Sequence, residues 1–258
     1  MIKEDIKFAD SLIFEGMTSI RAIICGIESG VNDRKINKIL FDTSKIKKIS
    51  KEVGYLKAVS SKYGFEVVES DTCELEEMTL GSSHGGIVAI TEKRTIPTLK
   101  SDLIKPCGFY AMIQGIEDPY NFGYSIRSLY ACGCNGIILP RRNWMSAAGV
   151  VCRSSAGASE MFEIYECEDV QCAQMFKGLN YNIVCADERT DKILGQCSLP
   201  YPILLIVGGE KRGISRALLD YADTLVKIPY GRDFRASLSA ASATTMFAYE
   251  IMRQNQKL

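Results

Sequence analysis

From residue 107 onward, short apolar runs alternate with stretches of helical character, and this alternation constrains the fold more than any other feature. The runs are Phe109–Gln114, Gly136–Leu139, Asn182–Ala186, Ile203–Val207 and Thr224–Ile228. Each is almost continuously apolar, as strands are when both faces of a sheet are covered. Helices are expected between them, near Phe122–Cys132, Cys172–Leu179, Arg216–Ala222 and Leu238–Arg253. Strand and helix in turn imply an α/β domain with a largely parallel sheet and helices on both faces.

The first ~95 residues read as a smaller α/β unit. A helix is expected over Phe14–Ile27 and a strand over Lys38–Phe41. Val53, Leu56 and Val59 fall near helical spacing within Ile49–Tyr63. Short strands follow at Glu66–Val68 and Gly85–Ile90. Residues 91–106 carry two prolines and mixed charges, which break any regular pattern and suggest a linker. The expected division is 1–95, a linker over 96–106, and 107–258.

Charge bounds the function. Lys plus Arg and Asp plus Glu both number 31, so the net charge is zero. A protein held on nucleic acid mainly by counterion release is strongly basic, and this chain is not. A local patch remains open: residues 32–62 hold nine basic residues, among them Arg34, Lys35 and Lys38, against three acidic ones. Residues 66–77 carry six acidic and no basic side chains. These runs read equally as solvated surfaces or as an RNA-facing side beside an acidic one.

Ten cysteines are present without a C-x-x-C pair, and one histidine, His84. Cys25, Cys107 and Cys185 lie in apolar runs, where a free thiol acts as a small hydrophobe. Cys132 and Cys134 have poor zinc spacing. The pattern predicts free thiols in a reducing cytoplasm and no metal site. No apolar run approaches membrane-spanning length, and no signal peptide is read.

Three segments carry the candidate chemistry. In Asp118-Pro119-Tyr120-Asn121-Phe122-Gly123-Tyr124-Ser125-Ile126-Arg127, a strand gives way to a helix that Asn121 can cap. In Val207-Gly208-Gly209-Glu210-Lys211-Arg212-Gly213, glycines after a strand leave backbone groups open to a ligand. The third segment is Ile228-Pro229 followed by Ser237-Leu238-Ser239, where Ser237 can cap a helix rich in small residues. The glycine offsets do not fit the G-x-G-x-x-G dinucleotide fingerprint, and no P-loop lysine motif is present, which argues against an oxidoreductase or NTPase.

Taken together, these segments resemble the SpoU/TrmH family of RNA ribose 2′-O-methyltransferases. Ser154-Ser155-Ala156-Gly157-Ala158 strengthens the likeness, matching the family's Ser-Ala-Gly-Ala turn. The resemblance implies a knotted (SPOUT) domain over 107–258 that binds S-adenosylmethionine (SAM) and releases S-adenosylhomocysteine. It puts Arg127, Asn121 and Glu210 at the catalytic centre. It puts Val207, Gly208, Gly209, Gly213, Ile228, Pro229, Ser237, Leu238 and Ser239 around the cofactor. Glu15-Gly16 and Ser83-His84-Gly85-Gly86 look like the L30-like substrate-binding domain found in many members, here with His-Gly-Gly in place of His-Gln-Gly. The implied partners are structured RNA, ribosomal rather than transfer, and a second copy joined through the catalytic domain. Arg141, Arg142, Arg153, Lys35 and Lys38 are the RNA-contact candidates, and a solvated basic face accounts for them equally. One departure matters: Ser239 stands where the family has Asn. A knotted RNA-binding protein with weak or no catalysis is therefore the alternative.

Overall fold

Gly16 adopts a φ of +77°, and the corner it turns separates strand β1 (Ile13–Glu15) from helix α1 (Gly16–Glu28). A single helix over Phe14–Ile27 was the expectation. Its first residues instead pair antiparallel with β4 (Ile87–Thr91), Phe14 opposite Ala89, because the wholly buried Phe14 fills the core from a strand. The structure is a computed structural model that describes residues 12–79, 82–140, 147–209 and 212–256. It divides into two compact units, residues 1–95 with 143–161, and residues 96–142 with 162–258. The stretch 143–161, expected within the second domain, thus groups with the first.

In the first unit the sheet order is β1-β4-β2-β3, with β2 (Ile36–Asp42) antiparallel to β4 and parallel to β3 (Glu66–Ser70). Helix α2 (Ile46–Tyr63) buries Ile49, Val53 and Leu56 and ends at Gly64, whose φ of +72° closes it. Helix α3 (Thr72–Met78) is capped by Asp71, which accepts from the Glu74 N–H. Helices α5 (Ala148–Ser154) and α6 (Ala158–Met161), neither expected from sequence, also belong here. Ala148 and Cys152 share the core of Phe14, Ile23 and Ile39.

A buried ion pair fixes this arrangement. Arg34 is 1% exposed; its Nε donates to Glu160 Oε2 at 2.8 Å, and its Nη1 donates to the Glu92 carbonyl at 2.9 Å. Asn32 Nδ2 donates to Glu160 Oε2 at 2.6 Å, and the Arg34 guanidinium lies 4.5 Å from the Phe14 ring centroid. Arg94 Nη1 donates to the Ser159 carbonyl at 2.7 Å. Gly157 turns with a φ of +90°, and a Cβ there would stand 2.5 Å from Ala22 Cβ, so the Ser-Ala-Gly-Ala turn packs directly on α1.

The second unit is a six-stranded, all-parallel sheet in the order β10-β8-β9-β5-β6-β7. Its members are β5 (Phe109–Gln114), β6 (Gly136–Leu139), β7 (Ile164–Glu166), β8 (Asn182–Ala186), β9 (Ile203–Gly208) and β10 (Thr224–Val226). Helices α4 (Pro119–Ala131), α7 (Asp169–Gly178), α8 (Arg216–Leu219) and α9 (Ala240–Asn255) intervene or follow. The central strands are buried throughout, with Tyr110, Met112, Leu204 and Ile206 in one core, as their unbroken apolar runs require. β7 was not expected, since three residues are too few to carry a pattern. β10 ends at Val226, so Ile228 and Pro229 lie beyond it, and the helix expected over 216–222 is a single turn.

All ten cysteines are free. Cys185 is buried, and burial pushes its thiol up to about 12. Cys25 and Cys107, expected to pack as small hydrophobes, are exposed. Among the described residues no three His, Cys, Asp or Glu side chains gather as a metal-ligand group, and no helix is long and apolar enough to cross a membrane.

Candidate active site

Parallel strands point their carboxyl ends to one edge of the sheet, and in open α/β sheets ligands bind beyond that edge. Here a cavity of about 970 Å³ lies at the ends of β8, β9 and β10. Its walls are residues 186–189, 207–209, 212–214, 226–230 and 234–238, with Ala240, Ala243 and Phe247 of α9. Val207, Gly208, Gly209, Gly213, Ile228, Pro229, Ser237 and Leu238 all line it. Two segments far apart in sequence therefore meet at one site. Ser239 is not among the lining residues.

The glycines are required by backbone packing. A Cβ on Gly208 would stand 2.4 Å from the Gly213 carbonyl carbon, and one on Gly209 would stand 2.3 Å from the Gly115 carbonyl oxygen. The loop folds back on itself: the Gly213 N–H donates to the Gly209 carbonyl at 2.9 Å, and Gly213 holds a φ of +62°. Sequence reading assigned these glycines to open backbone groups. Close approach of chain to chain is what Gly208 and Gly209 supply, and it shapes the wall. Glu210 lies outside the described residues.

Beside this loop, Asp187 follows β8, whose Ala186 pairs with Val207. Its carboxylate accepts from Arg189 Nη2 at 2.7 Å, Nε at 3.0 Å and the Arg189 N–H at 2.8 Å. The Arg189 guanidinium holds this carboxyl below the usual carboxylate range. At the other rim, the Leu238 N–H donates to Tyr230 Oη at 3.1 Å, tying both ends of the irregular segment between β10 and α9. Asp187, Arg189, Tyr230, Phe234 and Arg235 line the cavity, and sequence reading missed them. The available signal was position alone: residues just after an apolar parallel strand lie at the binding edge.

Helix α4 starts five residues after β5, whose Gln114 pairs with Gly208. The cap is Asp118, not Asn121: the Asp118 carboxylate accepts from the Tyr120 N–H at 3.3 Å and the Asn121 N–H at 3.0 Å. An Asp before Pro at the first helical position satisfies two open donors, which leaves the half-buried Asn121 one turn inside. Phe122, Ser125, Ile126 and Leu129 face inward. Tyr120, Tyr124 and Arg127 fall on the exposed stripe at helical spacing, and Arg127 does not line the cavity. Helix α4 packs on α9, with Ser128 Oγ and Thr245 Oγ1 2.6 Å apart.

Ser239, not Ser237, caps α9, its Oγ accepting from the Ser242 N–H at 3.1 Å. Ser and Asn rank together as N-caps. The departure from the family's Asn therefore keeps the local structural task at this position.

The RNA-contact candidates scatter. Lys35 is exposed and Lys38 half-buried on or beside β2. Arg153 is exposed and paired with Glu15 at 2.7 Å. Arg34 is withdrawn from the basic patch altogether by its burial against Glu160. Arg141 and Arg142 lie outside the described residues. His84 is buried in a turn, its Nδ1 accepting from the Gly86 N–H at 3.1 Å.

Known proteins bear on this arrangement. The SpoU rRNA Methylase family matches residues 108–249, more than half of the chain. The chain is 28% identical over 203 residues to the 23S rRNA (guanosine-2′-O-)-methyltransferase RlmB of Shewanella oneidensis, covering 75% of this chain and 80% of that protein. Its fold is similar to that of the SpoU methyltransferase AviRb from Streptomyces viridochromogenes in complex with the cofactor AdoMet. That match has a TM-score of 0.75 and 22% identity, over 94% of this chain and 89% of that one. An rRNA methyltransferase from Sinorhizobium meliloti matches with a TM-score of 0.75 and 21% identity, over 95% and 88% of the two chains.

Proposed function

The chain belongs to the SpoU rRNA methylase family, and from that premise we propose that it transfers a methyl group from SAM to a ribose 2′-oxygen of structured RNA. The observation that carries this reading is the meeting of two of the three motif segments at one cavity. Its volume of about 970 Å³ suits a small-molecule cofactor with room at the mouth for a substrate group. Val207, Ile214, Leu238 and Phe247 supply apolar wall, and Gly208, Gly209 and Gly213 bring backbone close without side chains. These residues fit SAM and would hold it. Bound there, SAM supplies an electrophilic methyl group on a sulfonium.

The chain's own residues then position the acceptor. Arg127 cannot serve as a base, since guanidinium does not deprotonate in proteins. We assign it to the nucleotide's phosphate and 2′-oxygen, where a fixed positive charge offsets developing negative charge. The departing proton passes to another acceptor, and the substrate phosphate is the one this reading assigns. Orientation of the 2′-hydroxyl alone contributes several kcal/mol in reactions of this type. Glu210 keeps the catalytic role that the family motif implies.

Three finer features belong to the same reading. The second unit carries the family's knot. The first unit is the L30-like domain that engages RNA, and ribosomal RNA is the substrate. The protein acts as a cytoplasmic homodimer through the second unit. The dimer is supported by exposed Tyr120 and Tyr124, at helical spacing with Arg127 on α4, and by exposed Met246 and Tyr249 on α9. A dimer closing there carries Arg127 to the interface. The catalytically silent alternative rests on the missing Asn; Ser239 keeps the helix-capping task at that position.

The test is a map of 2′-O-methylated nucleotides in RNA from cells with and without the protein. One ribosomal position should lose its mark, and Arg127→Ala should not restore it. An unchanged map contradicts the assignment.

A further inference from the structure

We infer that the irregular segment between β10 and α9 is a stacking platform for an unpaired RNA base, with arginines for the flanking phosphates; this rests on the methyltransferase reading. Phe234 is 57% exposed and Tyr230 43%, high values for aromatic rings. Both line the cavity rim. Their centroids are 6.0 Å apart with planes at 54°, so neither ring covers the other's face. The Leu238 N–H holds the Tyr230 hydroxyl, which fixes the base of the platform while Phe234 stands clear.

Arg232 and Arg235 flank Phe234, and both are exposed. No ion pair holds either of them among the described residues. Asp233 is the segment's one carboxylate between them. Several other exposed arginines are paired, Arg189 with Asp187, Arg216 with Asp220 and Arg253 with Glu250. Open ring faces beside unpaired guanidiniums fit a ligand that is flat and anionic in alternation. An unpaired nucleotide chain has that character, and proteins that bind it combine aromatic stacking with cationic grooves. SAM alone does not match, because it carries one carboxylate and no phosphate for two arginines.

The experiment measures binding of the full-length protein to a fluorescein-labelled oligoadenylate and to an RNA duplex of equal length, with S-adenosylhomocysteine titrated in parallel. Phe234→Leu should weaken oligoadenylate binding about tenfold more than it weakens S-adenosylhomocysteine or duplex binding. Phe234→Trp should restore it. Arg232→Gln with Arg235→Gln should flatten the dependence of log affinity on log salt by about 1.4, near 0.7 for each phosphate contact. Equal loss of oligoadenylate and S-adenosylhomocysteine would put Phe234 against the cofactor and overturn the proposal, as would unchanged oligoadenylate affinity. Wild-type protein that binds oligoadenylate through Phe234 but not S-adenosylhomocysteine would support the platform while contradicting the methyltransferase reading.

Discussion

Arg34 in the first unit and Arg232 with Arg235 in the second put the same side chain to opposite use. Arg34 is 1% exposed, paired with Glu160, bonded to the Glu92 carbonyl and laid over Phe14. Arg232 and Arg235 stand in solvent on an irregular segment beside a cavity. The first arrangement joins residues 126 apart in sequence into one core. The second leaves charge available to a ligand. Composition groups Arg34 with the lysines of a basic patch; the direction of its side chain, set by the strand it precedes, separates it from them.

Breaking the buried pair should have the largest effect. Glu160→Ala leaves Arg34 charged and uncompensated, and should destabilise the protein by about 3–5 kcal/mol. Urea denaturation reads this directly. Replacing both partners, Arg34→Leu with Glu160→Met, should recover much of that loss. A double variant no better than the single would refute the view that the orphaned charge is the cost.

Gly209→Ala moves the comparison to the cavity wall. Its Cβ would meet the Gly115 carbonyl oxygen at 2.3 Å, a backbone atom with little room to give. Overpacking of this kind costs about 1–3 kcal/mol. Affinity for S-adenosylhomocysteine should fall with it. Wild-type stability and affinity in this variant would mean that the loop relaxes and that the glycine is not needed.

Ser239 gives a smaller, sharper test. Ser239→Ala removes the α9 cap and should cost about 1 kcal/mol, while Ser239→Asn should leave stability nearly unchanged. If the Asn variant also leaves activity unchanged, capping is the shared task of the two residues. A large rise in activity would instead show that Asn does chemistry that Ser cannot.

The smallest effect concerns His84, buried with its Nε2 unpartnered. Burial, and then Lys45, push its pKa below the ordinary value, against the pull of Glu15, Glu76 and Asp42. The unfolded chain therefore binds a proton that the folded one refuses. Stability from this group is full above about pH 6.5 and is lost as pH falls below it. Urea midpoints at neutral and mildly acidic pH should drop more in the wild type than in His84→Gln. Equal drops would exclude His84 as the source.

The second unit's strands were legible because parallel strands buried on both faces need unbroken apolar runs. The cavity was legible through the motif segments, because the family resemblance they carry named eight of the residues that line it. Caps were misread by two or three residues: Asp118 rather than Asn121, Ser239 rather than Ser237. Each stretch offers more than one capping residue type, and only backbone geometry chooses. Short β7 and the helices over 148–161 were missed because their residues answer to partners far away, such as Ala22 against Gly157. Asp187, Tyr230 and Phe234 carry no motif, so only the folded chain brings them to the rim.

Calorimetric titration of the purified protein with S-adenosylhomocysteine tests the central claim most directly. The account predicts saturable binding in the micromolar range, about −8 kcal/mol, weakened by a change at Leu238 in the cavity wall. Absence of binding to an intact, folded protein would contradict it.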